Sequence, residues 1–301
     1  MIINKFPIGN RNKKLPGFTY TGTYTVVDDG NDGWRIKFLT SGTMRVDRRA
    51  RIDVFLVGGG ASGSYCYVDD PDIDMMPHGG GGGGSGYTLT KKNIDISKSG
   101  SYIIIVGDGG QSVGGGQSSV FGNNGGNTSA FGYTANGGSW AINTSGLYTP
   151  QDLPGNGGSA GGQSGTENYI EGSTIQYNAE NGLSDGDSST IATEYPEINS
   201  GKGQGTTTKE FGEITGALYA GGGGGGAGGD PSQGGTTVYG VGGSGGGGNG
   251  ASRSTNAGDG AVNTGGGGGG GHFSKINGSR VYKASGAGGS GIVIIRNHRG
   301  D

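Results

Sequence analysis

The sequence has few of the residues that build an ordinary hydrophobic core. Hydrophobic residues make up 29% of the 301 positions, whereas typical domains reach roughly 40% on the same count. A single cysteine, Cys66, excludes an internal disulfide framework, and we expect it to be a small buried filler. The formal net charge of −3 provides no general basic field, so we expect no nucleic-acid partner.

Long apolar segments are also missing. The longest, Ile103–Val106 and Ile292–Ile295, are far shorter than the about 20 residues that span a bilayer. The segment 1–14 contains no apolar core of a signal peptide. We therefore expect a protein without a signal peptide and without membrane insertion.

Signatures of catalysis, cofactors and metal sites are absent as well. Gly58, Gly60 and Gly63 have the spacing of a dinucleotide-binding loop, but the proline-interrupted segment that follows does not predict the required helix. The three histidines are scattered and form no zinc pattern. The acidic stretch 69–74 lacks the spacing of an EF-hand calcium loop, so we expect a solvated loop there. We predict no enzyme, no cofactor and no metal.

Glycine is what the chain has in excess, at 78 of 301 residues. Its uninterrupted runs are Gly79–Gly84, Gly221–Gly226, Gly245–Gly248 and Gly265–Gly271. A single run should stay a flexible linker, because ordering costs about 1–2 kcal/mol per residue and glycine loses the most entropy. Several extended runs lying side by side can instead hydrogen-bond backbone to backbone. Because strands bracket the glycine-rich part, we predict that the runs are ordered together as polyglycine-II helices.

Alternating apolar and polar residues predict strands on both sides of the glycine clusters. Residues 18–57 have the pattern of an antiparallel meander, and 87–90 and 101–106 of two further strands. No segment has the pattern of an amphipathic helix. We predict an all-β fold with almost no α-helix, made of an N-terminal β-meander region (1–57) and a glycine-rich polyglycine-II/β domain (58–301) that has a loop-rich insertion (139–220) and a closing strand (292–295).

Strands and glycine clusters succeed one another over residues 38–296 as FLTSGTMRVDRRARIDVFLVGGGASG, HGGGGGGSGYTLT, SYIIIVGDGGQS, GGGQSSVFG and GAGGSGIVIIR. This order resembles the glycine-rich domain of bacteriophage tail-fibre and adhesin proteins, such as the distal adhesins of T-even-like phages. The resemblance implies a stack of polyglycine-II helices that displays variable loops. The insertion 139–220 and the short N-terminal region depart from that pattern.

On this resemblance we expect a virion fibre or adhesin protein that attaches to the bacterial host surface. It would be made in the host cytoplasm. Its partners would be a receptor, either a glycan or a surface protein, and other virion or fibre subunits, in a monomeric tip or a trimer. The alternative is a purely structural decoration or connector protein that packs against other subunits.

Aromatic residues in the insertion are the candidate ligand contacts. Aromatic rings among Ser, Gly and Asn are typical of recognition loops, because they combine rigid contact area with adaptable hydrogen bonding. The alternative is that the rings cover the glycine layer, and Tyr219 lies in the same segment. The candidates are Trp140, Tyr148, Tyr169, Tyr177 and Tyr195.

Overall fold

Alternating sequence patterns do produce strands. The computed structural model describes residues 15–31, 33–67, 78–118, 120–140, 155–159, 161–162, 208–227, 239–276 and 279–299. Within these ranges there is no α-helix, only one 3-10 turn at Glu210–Gly212, and the predicted all-β fold is confirmed. The strands are β1 (Phe18–Tyr20), β2 (Tyr24–Gly30), β3 (Gly33–Phe38), β4 (Gly42–Val46), β5 (Ala50–Val57), β6 (His78–Gly79), β7 (Thr88–Ile96), β8 (Ser101–Ile105), β9 (Thr128–Ala130), β10 (Tyr133–Ala135), β11 (His272–Ile276), β12 (Ser279–Lys283) and β13 (Ile292–Asn297).

Two antiparallel sheets form a sandwich. One five-stranded sheet has the order β1-β4-β8-β9-β10 and the other has the order β2-β3-β13-β5-β7. Side chains from both sheets share one core, which includes the fully buried Phe38, Met44, Ile52, Ile104 and Ile295. Burial of each such side chain contributes about 1.5–3 kcal/mol. A three-stranded sheet, β12-β11-β6, contributes no residue to this core.

The strand order differs from a simple meander. β13 returns to the N-terminal strands, as predicted, and lies between β3 and β5, where Val293 pairs with both Phe38 and Leu56. β4 belongs to the opposite sheet, where it pairs with β1 and β8. The N-terminal strands therefore divide between the two sheets, because each strand must place its apolar face toward the shared core. The domain boundary at Val57 stays a prediction.

The glycine-rich segments have the hydrogen-bond pattern of polyglycine-II helices. In the segment 58–65, every third amide donates to the same neighbour: Gly58, Ala61 and Ser64 bond to the carbonyls of Tyr87, Gly84 and Gly81. The amides of 59, 62 and 65 bond to a second segment at 126, 123 and 120, and those of 60 and 63 bond to a third at 289 and 286. A polyglycine-II helix has three residues per turn and no internal hydrogen bond, so each side of the helix meets a different neighbour.

The carbonyl groups of the segment 58–65 accept hydrogen bonds from further helices of the bundle. The carbonyls of Gly59 and Gly60 accept from Gly138 and Gly110, and that of Ala61 accepts from Gly268. The run 265–271 is surrounded in the same manner, with Gly83, Gly286 and Ala251 among the donors to it. Extended backbones that lack internal hydrogen bonds thus satisfy their polar groups through their neighbours.

Glycine is required where these helices touch. A Cβ atom placed on Gly60 would lie 2.0 Å from the carbonyl oxygen of Gly266, and one on Gly269 would lie 1.8 Å from that of Asn249. The obstructing atoms belong to backbone that cannot rotate aside. Where the layer does hold a side chain it is a small one, as at Ala61 and Ser62, both fully buried.

The fourth glycine run differs from the prediction. Gly245 and Gly246 have φ angles of 101° and 100° and form a turn, a conformation in which glycine has no steric cost. Gly248 continues into the layer and donates to the carbonyl of Gly267. The prediction of packed polyglycine-II helices is therefore confirmed for 79–84, 221–226 and 266–271, and wrong for the first half of this run and for Gly265, which has a φ of 69° and also lies in a turn.

The packing makes Gly269→Ala strongly destabilising. Because the added methyl group meets backbone, we expect the free energy of unfolding to fall by about 3 kcal/mol, the upper range for overpacking. Gly116→Ala is the matched control, since nothing lies within 4 Å of a Cβ at this exposed glycine. Chemical denaturation of both variants checks this; equal stability of the two would contradict the packing.

Candidate functional site

The glycine bundle has two unlike ends. Gly58 directly follows β5, Gly107 lies just beyond β8, and Gly291 precedes β13, so this end adjoins the sandwich. The opposite end, called the far end here, contains Tyr65 and Gly271, which are reached after the helices cross the bundle. Antiparallel bonding fixes this arrangement, since Gly80 bonds to Gly271 while Gly86 bonds to Gly265.

Five connections leave from the far end. The amide of Ser285 bonds to the carbonyl of Val113 there, and that of Ala227 bonds to the carbonyl of Ala251. These residues flank the connections 66–78, 114–119, 228–239, 252–257 and 272–284. The sandwich end has the short connections 244–246 and 261–264. The bundle thus holds the ends of these five connections on one side, which is where we place the candidate binding site.

An aromatic cluster lies at the far end. Phe273 on β11 and Tyr282 on β12 are cross-strand partners with ring centroids 5.6 Å apart. The ring of Tyr67 lies 4.8 Å from that of Phe273 and 6.3 Å from that of Tyr282. Phe273 is 1% exposed, whereas both tyrosines are half-buried. Sequence reasoning missed this cluster because its rings are far apart in the chain and outside the insertion.

His272, next to this cluster, is buried and neutral. It is 2% exposed and lies on the central strand of the three-stranded sheet. Its Nδ1 lies 2.7 Å from the carbonyl oxygen of Ala227, which requires a proton on Nδ1. Burial, aided by the nearby charges of Arg253 and Lys283, lowers the pKa of His272 to about 4. This histidine holds β11 against the end of the run 221–227.

Residues 208–220, called the strap here, fix the C-terminal end of the insertion on the sandwich. Phe211 and Tyr219 of the strap pack on Phe55 of β5, with ring centroids 5.8 and 5.5 Å apart. Ile294 of β13 belongs to the same cluster. The strap therefore covers the face of this sheet that the sandwich leaves open.

Ion pairs surround the strap. The guanidinium of Arg35 donates to Glu210 at 2.6 Å and to Glu213 at 2.8 Å. Arg296 also pairs with Glu213, and its guanidinium lies 4.1 Å from the centroid of the Phe211 ring. Charge-assisted hydrogen bonds and a cation–π contact thus fix the strap on β3 and β13.

The electrostatics of the strap follow from these pairs. Burial alone would raise the pKa of Glu213, but hydrogen bonds and charge from Arg35 and Arg296 lower it overall. Burial, together with the charge of Glu210, raises the pKa of Tyr219, whose hydroxyl lies 3.2 Å from Glu210 Oε2. The Glu213 carboxylate is therefore ionised and the Tyr219 phenol is neutral at neutral pH, and the strap acts as a structural anchor.

The aromatic candidates of the insertion have different outcomes. Trp140 is half-buried and packs on Phe121, with ring centroids 4.6 Å apart, so at least one of its faces covers the scaffold. Tyr219 is 6% exposed and belongs to the strap, which makes it a packing residue. Four candidates lie outside the described residues: Tyr148, Tyr169, Tyr177 and Tyr195.

A family model described as a glycine-rich domain matches residues 39–298. The chain belongs to this glycine-rich domain family. The match begins in the loop after β3 and ends beyond β13, so it includes the polyglycine-II bundle and most strands of the sandwich. Among curated proteins none matches the sequence.

Other kinds of site have no counterpart in the described part of the chain. No group of three or more His, Cys, Asp or Glu side chains in these ranges could hold a metal ion. None of the described segments is a helix of the length and apolarity that a bilayer span requires. The acidic stretch 69–74 lies outside the described residues.

The lowered pKa of His272 predicts a specific pH dependence of stability. An unfolded histidine takes up a proton near pH 6.5, whereas His272 in the folded protein does so near pH 4. Between these values the unfolded state binds more protons, so the free energy of unfolding falls as the pH falls, by up to about 3 kcal/mol.

His272→Asn removes this contribution, because its amide keeps a hydrogen-bond donor for Ala227 but does not titrate. Denaturation curves at pH 7 and pH 4 measure the effect as the difference between wild type and variant. Asp53 and Glu213, whose lowered pKa values also destabilise the fold in acid, cancel in this comparison. Equal losses in both proteins would contradict the burial of a neutral imidazole.

Proposed function

We propose that this glycine-rich domain protein is a bacteriophage fibre or adhesin protein that binds the bacterial host surface. The polyglycine-II bundle serves as a rigid scaffold, and the connections at its far end make contact with the receptor. The action is binding without turnover. The receptor is a surface glycan or a surface protein of the host.

The grouping of five connections at the far end of the bundle carries this proposal. A binding surface made of several loops needs a support that holds their ends at fixed positions. In the bundle each loop end continues a helix whose backbone is bonded to its neighbours, as at Gly271, which donates to Ser64 and accepts from Gly80. Variation in loop sequence leaves those bonds unchanged, because they involve no side chain.

The insertion has its own supports on both flanks. Gly155 donates to Gly82 and Gly162 donates to Gly223, so these glycines are part of the bundle. The strap begins at Thr208, which accepts from the amide of Tyr219. The segment 163–207 therefore starts and ends on the scaffold, and it contains Tyr169, Tyr177 and Tyr195.

Cell adsorption tests the proposal. The full chain, fluorescently labelled, is mixed with a panel of bacterial strains, next to a variant in which 163–207 is replaced by a short Gly-Ser linker. We expect the wild type to coat a subset of strains and to block phage infection of those strains, and the variant to lose this binding. Circular dichroism and a thermal melt confirm that the variant folds.

Two outcomes would each contradict a different part of the proposal. Absence of binding to every strain would reject the adhesin function. Undiminished binding by the folded variant would remove 163–207, with its tyrosines, from the receptor contact.

The structural alternative has one observation in its favour. Ile103 and Ile105 on β8 are 71% and 46% exposed, on the face of the sheet that points away from the sandwich core. Each lies beside a small polar partner, Thr43 and Ser129. An apolar pair at the centre of a sheet face suits packing against another subunit.

Light scattering at rising protein concentration tests this face. In the connector alternative, the wild type associates and the double variant Ile103→Thr, Ile105→Thr remains monomeric, because Thr keeps strand propensity while removing the apolar contact. A wild type that is monomeric throughout would deprive the alternative of its support.

A further inference from the structure

We propose that β2 pairs with the β2 strand of a second copy of this chain, antiparallel across a two-fold axis, so that two sandwiches share one continuous sheet. The free edge of β2 and the uncovered side chains beside it carry the inference. Self-association at this edge is a property of the sandwich and does not depend on receptor binding at the far end of the bundle.

Tyr24 and Val26 face the sandwich core, but the sandwich does not cover them. They are the cross-strand partners of Phe38 and Ile36, which places their side chains on the same face of the sheet. Both partners are fully buried in the shared core, whereas Tyr24 is 40% and Val26 is 47% exposed. At the opposite edge of this sheet, Ile96 of β7 is 1% exposed. The core is therefore closed at β7 and open at β2.

The first half of β2 also lacks the features that keep edge strands from pairing, which are charged side chains, proline, bulges and short length. β7, the other edge of the sheet, carries Lys91 and Lys92 and has a bulge opposite 52–54. β1 and β10, the edges of the opposite sheet, have three residues each. β2 has seven residues, and its bulge and acidic side chains come only at 28–30. Its segment Tyr24–Val27 is thus open to another strand.

Backbone groups on the free side of β2 are in position to bond to such a strand. The amide of Leu39 donates to the carbonyl of Thr23, so Thr23 bonds toward β3. Antiparallel strands bond through alternate residues, and the amides and carbonyls of Tyr24, Val26 and Asp28 therefore point away from β3. β2 is the last strand of its sheet, so no described strand pairs with these groups.

Charge along β2 selects the orientation of the partner. With the axis at Val26, that residue pairs with its own counterpart and Tyr24 pairs with Asp28 of the second copy, and each pair exchanges two backbone hydrogen bonds. Asp28 and Asp29 lie at one end of the strand, whereas 21–23 at the other end are uncharged. The acidic end of each copy thus lies beside the neutral end of the other. Parallel pairing in register would instead place the two Asp28 side chains together, which is unfavourable.

A second copy fits this edge better than an unrelated strand does. The two-fold axis is perpendicular to the sheet, so the core faces of both copies lie on the same side. Each copy then brings its own uncovered Tyr24 and Val26 to the open end of the other core, and the two valines meet at the axis. A two-fold dimer uses the same surface on both subunits, so the exposed apolar residues of each copy are covered by those of the other.

Size-exclusion chromatography with light scattering, on the full chain at rising concentration, tests the dimer. We expect the wild type to approach twice the mass of the chain. Val26→Lys should raise the dissociation constant of the dimer at least about tenfold, because two ammonium groups then face each other across the axis. Val241→Lys is the matched control, since Val241 is a valine 50% exposed in the glycine bundle, and this variant should dimerise like the wild type. Circular dichroism confirms that both variants fold.

Cross-linking tests the register of the two strands. In Val26→Cys the two introduced thiols lie in one hydrogen-bonded pair, whose Cα atoms are about 5.5 Å apart, within the range for a disulfide. We expect mild oxidation to link the two chains. Asp28→Cys is the control, because the two copies of position 28 are offset by about 14 Å along the strand and should stay unlinked. Cys66 is fully buried and takes no part.

Three outcomes overturn the inference. A wild type that stays monomeric does so, whether β2 is then covered by residues 1–14 or by another protein. Association that survives Val26→Lys unchanged does so too, and its loss in Ile103→Thr, Ile105→Thr assigns the contact to the β8 face. Linkage of Asp28→Cys in place of Val26→Cys rejects the two-fold axis at Val26.

Discussion

Hydrogen bonding between backbones that have no side chains between them is the constraint on which this structure depends. An extended glycine segment satisfies none of its polar groups internally, and in isolation it loses more entropy on ordering than any other sequence. Contact with several neighbours reverses this balance, because the amides and carbonyls bond to the surrounding backbones. Gly269 illustrates the condition, since it donates to Gly258 and accepts from Gly286, and its Cα leaves no space for a methyl group.

The sandwich and the strap supply the apolar core that glycine cannot form. Backbone packing provides no apolar core, and the chain concentrates its aliphatic residues in the strands, where Ile36, Val54 and Ile295 are fully buried. The strap then covers the second face of one sheet with Phe211 and Tyr219. The residues that stabilise the fold and the connections between the polyglycine-II helices thus occupy different parts of the molecule.

The sequence predicts the components better than their arrangement. Glycine runs and alternating strands are local patterns, so the polyglycine-II bundle, β7, β8 and β13 could be predicted from them. The position of β13 between β3 and β5 depends on pairing over more than 200 residues of chain, which no local pattern specifies. Gly245 and Gly246 look like any other glycines in the sequence, yet they form a turn. The aromatic cluster at the far end was the hardest feature to predict, because Tyr67, Phe273 and Tyr282 are far apart in the chain. They meet only through the register of the bundle.

The position of β13 also affects when its sheet can form during translation. A ribosome releases β3 and β5 long before Ile292–Asn297, and until that strand arrives the two have no common partner in their sheet. Domains usually fold as units during synthesis, but here the central strand of one sheet is made after the four other strands of that sheet. A glycine segment whose partners are still to be made exposes almost no apolar side chains, so it stays soluble as a coil until they arrive.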